Sequence, residues 1–404
     1  MLLTTVYYAT KLRTIAPQAS RDYKLSMRVH IRHTSYAIQS PSMQQKSNLP
    51  LFQAHPILVQ KLPYQPLGTL PTPVQKLEAL STHLGHHHLY IKRDDLSGPL
   101  YGGNKVRKLE FIFGEALAKG FKEVVTLGAI GSHHVLATSI YARELGLTPY
   151  AHHFPQPISQ HVLNNLLALS STHPSLTLVG HPVELPFHQF KKQLMGWLQA
   201  RQKTYYIKGG GSSLAGIFGY VNAALELQQQ IEEGLLPCPD EIYVAAGTNG
   251  TLAGLILGAK MAKLSSKIIG VRVVDRVVTN SANVLALANA ASATLNNYGV
   301  PAPLITLKDF DLLHNHFGKA YGQPTHEGDE ASALLMGHES LKLDPTYTAK
   351  TFSAVVKRAR QIDDAKTILY WHTLNGIDLS ERIQNADYTR DLPEEYHTFF
   401  EDRA

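Results

Sequence analysis

The sequence predicts an α/β chain of two lobes, each a mostly parallel sheet flanked by helices. Three observations carry this. Short runs rich in β-branched and aromatic residues alternate with amphipathic helical stretches between residues 89 and 274, the pattern of βαβ units. Glycine-rich loops stand where strands end and helices begin, at 128–134, 208–216 and 247–254. With 404 residues, 44% of them hydrophobic and 17% charged, the chain can bury a sizeable core and does not read as disordered.

In order, residues 1–48 stand apart. Lys11, Arg13, Arg21, Lys24, Arg28, Arg32 and Lys46 face a single acid, Asp22, in a Ser-, Thr- and Gln-rich background. No apolar core with a small-residue cleavage site precedes the globular part, so a secretory signal is not expected; a disordered basic extension is, and a transit peptide would share its composition. Pro56, Pro63, Pro66, Pro71 and Pro73 then punctuate an extended approach. A short helix is expected at 75–84 and a strand at 89–92. The intervening His86, His87 and His88 cannot share one face of a helix or strand and read as a polar turn, with no metal assigned.

A helix is expected from 104 or 105, strands at 123–127, 148–154 and 176–179, and helices at 134–145 and 159–169. The second βαβ run has strands at 204–207, 241–246 and 267–274, with helices at 217–233 and 250–263. Further helices are expected at 282–295, 330–336 and 350–361, and a last strand at 367–371. The domain reading is an extension over 1–48, a large lobe of 49–107 and 217–404, and a small α/β lobe of 108–216.

Composition excludes several classes. The net charge is +6, much of it in the first fifty or so residues, and no aromatic–basic interleaving appears, so no nucleic-acid surface is expected. Cys238 is the only cysteine, which rules out an intrachain disulfide and a thiolate metal cluster and fits a reducing compartment. No apolar run approaches the roughly eighteen residues of a membrane span.

The stretch 91–110 organises the chain. Gly102, Gly103 and Asn104 precede Lys105, and glycines let backbone approach a flat ligand closely. A lysine held on such a turn can form a Schiff base with a carbonyl compound. Lys105, Arg107 and Lys108 put three positive charges into one helical turn, which reads either as a site for an anion or as a solvated basic face. The loop of Gly247, Thr248, Asn249, Gly250 and Thr251 follows a predicted strand and opens a helix, where free N–H groups and the dipole favour an anion. Its spacing is neither a P-loop nor a dinucleotide fingerprint. On pattern alone it is either a phosphate cradle or a ligand-free turn. A reactive lysine together with a phosphate cradle suggests pyridoxal phosphate.

On these residues the chain resembles the 1-aminocyclopropane-1-carboxylate deaminase/D-cysteine desulfhydrase family, within the tryptophan synthase β-like, fold-type II pyridoxal phosphate enzymes. The resemblance runs over residues 62–376. It rests most on Lys92-Arg93-Asp94-Asp95 and Gly102-Gly103-Asn104-Lys105-Val106-Arg107-Lys108-Leu109-Glu110. The loop at 128–134, Gly210-Gly211-Ser212, the loop at 247–254, Tyr321-Gly322-Gln323-Pro324-Thr325, Asp344-Pro345-Thr346-Tyr347 and His372-Thr373 add to it.

The resemblance implies the cofactor pyridoxal 5'-phosphate, bound by the large lobe. Lys105 would hold it as a Schiff base and later move the Cα proton, with Asn104 beside the ring. Lys108 and the loop from Gly247 to Thr251 would take the phosphate. Ser132, at a helix start, would face the substrate carboxylate, Tyr321 and Tyr347 would point at the substrate, and Thr373 would meet the pyridine nitrogen. Without the resemblance, Ser132 is equally a helix cap, the tyrosines core aromatics, and Thr373 the end of a strand.

The departures bear on the substrate. His133 stands where the family has Asn after the serine, so a titratable ring replaces an amide beside the cofactor. Tyr347-Thr348 stands where the deaminases have Tyr-Glu, and Thr373 where they have leucine after the histidine. Both resemble the desulfhydrase side. Leu374-Asn375 replaces a glycine pair. A threonine hydroxyl at the ring nitrogen gives a weaker electron sink than a carboxylate, which suits β-elimination better than opening a cyclopropane. The implied reaction is β-elimination and deamination of a small amino acid, D-cysteine first, giving pyruvate, ammonia and sulfide. The alternatives are the cyclopropane-carboxylate deaminase and a non-catalytic pyridoxal phosphate-binding or sensing protein. A cytoplasmic homodimer, without nucleic-acid or membrane partners, completes the expectation.

Overall fold

The computed structural model describes residues 48–179 and 204–401, all within one compact unit. The expected basic extension lies outside the described residues except for Asn48. Strands are β1 Val74–Lys76, β2 Leu89–Arg93, β3 Glu123–Ala129, β4 Thr148–Phe154, β5 Ser175–Leu178, β6 Thr204–Ile207, β7 Glu241–Ala246, β8 Lys267–Arg272, β9 Phe310–Leu313 and β10 Ile368–His372. Helices are α1 Pro50–Ala54, α2 Leu58–Lys61, α3 Glu78–Leu84, α4 Asn104–Ala118, α5 His133–Glu144, α6 Gln160–Ser170, α7 Leu214–Glu232, α8 Gly250–Met261, α9 Ser281–Asn297, α10 His326–Glu339 and α11 Thr348–Ala359. Short helical turns at Ser380–Gln384, Tyr388–Asp391 and Thr398–Glu401 follow.

The larger sheet has the order β1-β2-β10-β7-β8-β9 and the smaller β5-β4-β3-β6. Every pairing is parallel except β1 with β2. This is the predicted two-lobe α/β architecture. Parallel strands covered on both faces read as continuous apolar runs. In β10, Leu369 and Trp371 enter the core shared with α7, α8 and α9, while Ile368 and Tyr370 enter the core on the other face, with α3, α10 and α11. Ile242 and Val244 of β7 face the first core and Tyr243 the second. A third core joins α4, α5 and α6 to the smaller sheet through Val106, Val135, Leu166 and Val124.

Polar residues cap five helix starts, of which the sequence reading named only Ser132 as a cap. Ser132 on α5, Ser159 on α6, Ser213 on α7, Asn280 on α9 and Thr325 on α10 each accept a first-turn N–H. Such a cap contributes about 1 kcal/mol.

The structure departs from expectation at the edges. The helix expected at 75–84 begins only at Glu78, because Gln75 and Lys76 pair in extended form with Ile91 and Tyr90. β9, a four-residue edge strand, had no sequence signal of its own. The C-terminal segment, expected with the large lobe, packs into the small-lobe core through Leu392 and Tyr396. There the Tyr396 hydroxyl meets His153 Nδ1 at 3.1 Å, and Glu395 accepts from the Leu178 N–H at 2.9 Å. Among the described residues no helix is long and apolar enough to cross a membrane.

Candidate active site

Lys105 is positioned from both directions along the chain. β2 delivers Lys92 and Asp94, a turn follows, and Gly103 (φ +82°) admits the chain to α4. A side chain at Gly103 would put its Cβ 2.7 Å from the Thr373 carbonyl, so both the dihedral and the space require glycine. The turn is fastened to the segment after β10. The Gly102 N–H donates to Asn375 Oδ1 at 2.6 Å and the Asn104 N–H to the Thr373 carbonyl at 3.2 Å. Leu374-Asn375, which replaces a glycine pair, thus contributes a clamp on the lysine turn.

The three cations of this turn do not form one solvated basic face, and only Arg107 leaves the cluster. Arg107 is fully buried, donating to Asp94 and Glu226, and Lys92 donates to Glu226 at 2.6 Å. Asp94 also accepts from Thr72, Tyr220 and Trp371. Helix α4 therefore rests on a buried network of balanced charge. Close packing completes the seat: a Cβ on Gly219 of α7 would lie 2.1 Å from the Arg107 carbonyl. Lys105 and Lys108 turn instead to a cavity of about 470 Å³ between the two sheets.

Of the predicted site residues, Asn104, Lys105, Lys108, Ser132, His133, Gly247, Thr248, Asn249, Thr251, Tyr321, Tyr347 and Thr373 all line this cavity. Gly250 does not; its N–H donates to Ser212 Oγ at 3.1 Å. Lys105 Nζ donates to Asn104 Oδ1 at 2.7 Å, and Asn104 Nδ2 donates to Thr251 Oγ1 at 3.0 Å. One amide thereby ties the lysine to the start of α8. Burial lowers the Lys105 amine to about 8, against the opposing pull of Asp344. Burial, and then the neighbouring Lys105, push Lys108 well below the ordinary lysine range. Its ammonium donates to the Gly210 carbonyl at 3.0 Å.

The candidate anion cradle has two walls. The first is the turn into α8, where Asn249 takes a left-handed conformation (φ +67°) and donates to the Val278 carbonyl at 2.8 Å. The second is the loop Gly209–Gly211. Gly210 has φ +66°, and a Cβ there would fall 2.2 Å from Thr248 Oγ1. Ser212 joins the walls, donating to Thr248 Oγ1 at 2.7 Å. The first-turn amides of α8 have no acceptor within their own helix, and its dipole adds to their pull on an anion.

On the other side of the cavity, Ser132 caps α5, its Oγ accepting from the Val135 N–H at 3.3 Å. The Tyr321 and Tyr347 hydroxyls bond each other. Burial raises both, Tyr321 to about 12 and Tyr347 well above the ordinary range, so both stay protonated at neutral pH. His133 has both ring nitrogens engaged: Nδ1 with the Tyr101 hydroxyl at 2.6 Å and Nε2 with His161 Nε2 at 2.9 Å. Burial, with His161 beside it, drives its proton affinity down to about 3.

Asp344 is a cavity residue that sequence reasoning did not assign. It accepts from the N–H groups of Thr346, Tyr347 and Thr348 and from Thr348 Oγ1. Burial works against its charge, but the Thr348 and Tyr347 donors hold it below its ordinary value. The signal available was Asp-Pro four residues ahead of a helix start. Thr348 is thereby explained: its hydroxyl serves Asp344.

Comparison with known proteins identifies the family. The model of a family described as pyridoxal-phosphate dependent enzyme matches residues 66–373. D-cysteine desulfhydrases of Salmonella newport and Salmonella typhimurium are each 36% identical over 316 residues, covering 75% of this chain and 91% of the relative. The crystal structure of an ACC deaminase homologue superposes with a TM-score of 0.69 at 31% identity, covering 81% of this chain and 95% of the other. A fungal L-serine ammonia-lyase from Rhizomucor miehei shares the fold at 16% identity and a TM-score of 0.51, with 79% of this chain and 99% of the other covered. The chain belongs to the pyridoxal-phosphate dependent enzyme family, and it is a pyridoxal phosphate-dependent lyase.

Proposed function

We propose that the enzyme catalyses β-elimination from D-cysteine, releasing sulfide, with one water then hydrolysing the eliminated product to pyruvate and ammonia. The observation that carries this reading is one cavity holding a buried amine of lowered proton affinity, a protonated tyrosine pair and a threonine, not a carboxylate, at the end of β10. The D-cysteine desulfhydrases that are 36% identical over 316 residues support the same choice.

The residues fit pyridoxal phosphate. The cavity combines a lysine amine near neutrality with hydroxyls and a helix start for a phosphate. Side chains at Gly103 and Gly210 would close the space beside them. Lys105 would bond the cofactor; Thr248, Thr251 and the start of α8 would take its phosphate, with Lys108 bracing the Gly210 loop; Thr373 would meet the ring nitrogen. When bound, the cofactor supplies the electron sink for the Cα–H bond. Lys105 Nζ accepts the Cα proton, and Asn104 holds that amine in place. Ser132 and the start of α5 take the substrate carboxylate. The Cβ–S bond breaks with its electron pair on sulfur, and the Tyr321–Tyr347 pair donates a hydrogen bond to the departing thiolate.

The division into a large lobe (49–107 and 217–404) and a small lobe (108–216) belongs to this proposal, with residues 380–401 now counted with the small lobe. So do a cytoplasmic location, supported by the exposed free Cys238, and a homodimer, the family expectation.

The test is a substrate panel with the cofactor-loaded enzyme. Sulfide and pyruvate from D-cysteine support the proposal. α-Ketobutyrate from 1-aminocyclopropane-1-carboxylate in preference would instead favour the deaminase, the reading that the ACC deaminase homologue supports. Cofactor binding without turnover of any D- or L-amino acid would leave a binding protein.

A further inference from the structure

His133 lines the cavity, but its bonding capacity is spent elsewhere. Both of its partners, Tyr101 and His161, lie outside the cavity wall. A neutral imidazole has one donor and one acceptor nitrogen, and these two contacts consume both. Between the two Nε2 atoms, one ring donates and the other accepts.

The partners belong to two rigid supports. Tyr101 sits in the turn that leads to Lys105; it is 1% exposed, and its backbone is bracketed by the Tyr141 hydroxyl, which donates to the Tyr101 carbonyl at 2.6 Å. His161 lies on α6, one turn before Asn165. Asn165 Nδ2 donates to the Gly131 carbonyl at 3.0 Å and lies 3.4 Å from His161 Nε2. Gly131 rests directly on α6: a Cβ there would lie 2.9 Å from Val162 Cγ2 and 3.0 Å from Val162 Cα. Ser132 is therefore held through its neighbours on both sides, Gly131 by Asn165 and His133 by His161 and Tyr101. Its own cap contact, at 3.3 Å, is a long one.

We propose that the α6 face of His161 and Asn165 is a positioning device for substrate binding: it holds the Ser132 turn against the cavity, and His133 acts as its anchor and as an apolar wall, not as a hydrogen-bonding ligand of the cofactor. This rests on the reading of Ser132 as the carboxylate contact. A second consequence is that the device also joins the Ser132 loop to the Lys105 turn, through the Tyr101–His133 bond.

The test uses the cofactor-loaded, full-length enzyme with His161→Phe, His161→Gln and Asn165→Leu. Phenylalanine keeps the ring and removes the nitrogen; glutamine restores a polar atom near the lost Nε2. The expected result is a roughly ten-fold rise in KM for the amino acid that the panel identifies, with kcat within about three-fold, equivalent to the loss of one hydrogen bond. Titration with D-alanine, which has no β leaving group, reads the same loss as weaker binding without turnover. Cofactor affinity and absorbance stay as in the parent, and His161→Gln recovers most of the loss. Asn165→Leu gives a KM rise of similar size, which keeps the test decisive should His161→Phe not fold.

Two results overturn the proposal. One is parental KM and D-alanine binding in both His161→Phe and Asn165→Leu. The other is a changed cofactor absorbance or affinity in His161→Phe, which would mean that His133 acts on the cofactor itself. Failure of D-cysteine as substrate would sink the functional reading alone, because the D-alanine titration does not depend on it.

Discussion

Replacing Arg107 by methionine tests how Lys105 is seated. The guanidinium is fully buried and bonds Asp94 at 2.8 Å and Glu226 at 2.8 and 2.9 Å. With Lys92 the cluster holds two cations and two anions, so the substitution leaves one buried negative charge without compensation. Removing one partner of such a buried pair costs about 3–5 kcal/mol. Asp94 retains Thr72, Tyr220 and Trp371, and Glu226 retains Lys92, which places the expectation near the lower figure. With a urea slope of about 3 kcal/mol per molar, that is a fall of roughly 1 M in the unfolding midpoint. Circular dichroism against urea, on the cofactor-free protein, measures it. Adding Asp94→Asn removes the excess charge, so the double variant loses less than the sum of the two single variants. A midpoint shift under roughly 0.3 M for Arg107→Met, or strict additivity in the double variant, would refute the view that this network holds α4.

Four further outcomes follow from the same geometry. Attack on an aldehyde needs the neutral amine, so with Lys105 lowered to about 8 the rate at which the apoenzyme takes up pyridoxal phosphate rises as pH passes through about 8 and then levels; stopped-flow absorbance that is still climbing steeply beyond about pH 10 contradicts this. Asp344→Asn removes the charge that supports the ammonium and moves that midpoint down. Gly210→Ala weakens cofactor binding by at least about ten-fold, because it combines a left-handed dihedral with a clash on Thr248, whereas Gly85→Ala (φ +69°, open space around its Cβ) costs about 1–2 kcal/mol of stability and leaves cofactor affinity alone. Glu226 is pushed upward by burial, but Arg107 and Lys92 overcome this and hold it at about 2 against an ordinary 4.5; its contribution is thus present above about 4.5 and lost as pH falls toward 2, so the stability gap between the parent and Arg107→Met, read by urea unfolding, narrows over that range.

What was legible in the sequence is what local chemistry determines. Strand runs covered on both faces, Ser132 as a helix cap and the glycine turn before Lys105 each carry their own signal within a few residues. What was not legible depends on distant partners. Arg107 read as part of an anion site or of a solvated basic face because its second acceptor, Glu226, lies far along the chain on α7. The partner of His133 sits on α6, and nothing at 133 announces a second histidine at 161. Asp344 was visible as part of a motif, but that its carboxylate lines the cavity follows from the closing of α11 against the larger sheet. The short turns after residue 380 have too little periodicity to declare which core they join, and only the Tyr396–His153 contact and its neighbours decide it.

The central claim is that Lys105 is the residue that bonds the cofactor. Borohydride reduction of the cofactor-loaded enzyme, followed by proteolysis and mass spectrometry of the modified peptide, tests it most directly. One pyridoxyl group is expected on the peptide containing Lys105, abolished in Lys105→Ala. A pyridoxyl group on Lys108 or elsewhere, or labelling that survives in Lys105→Ala, would contradict it.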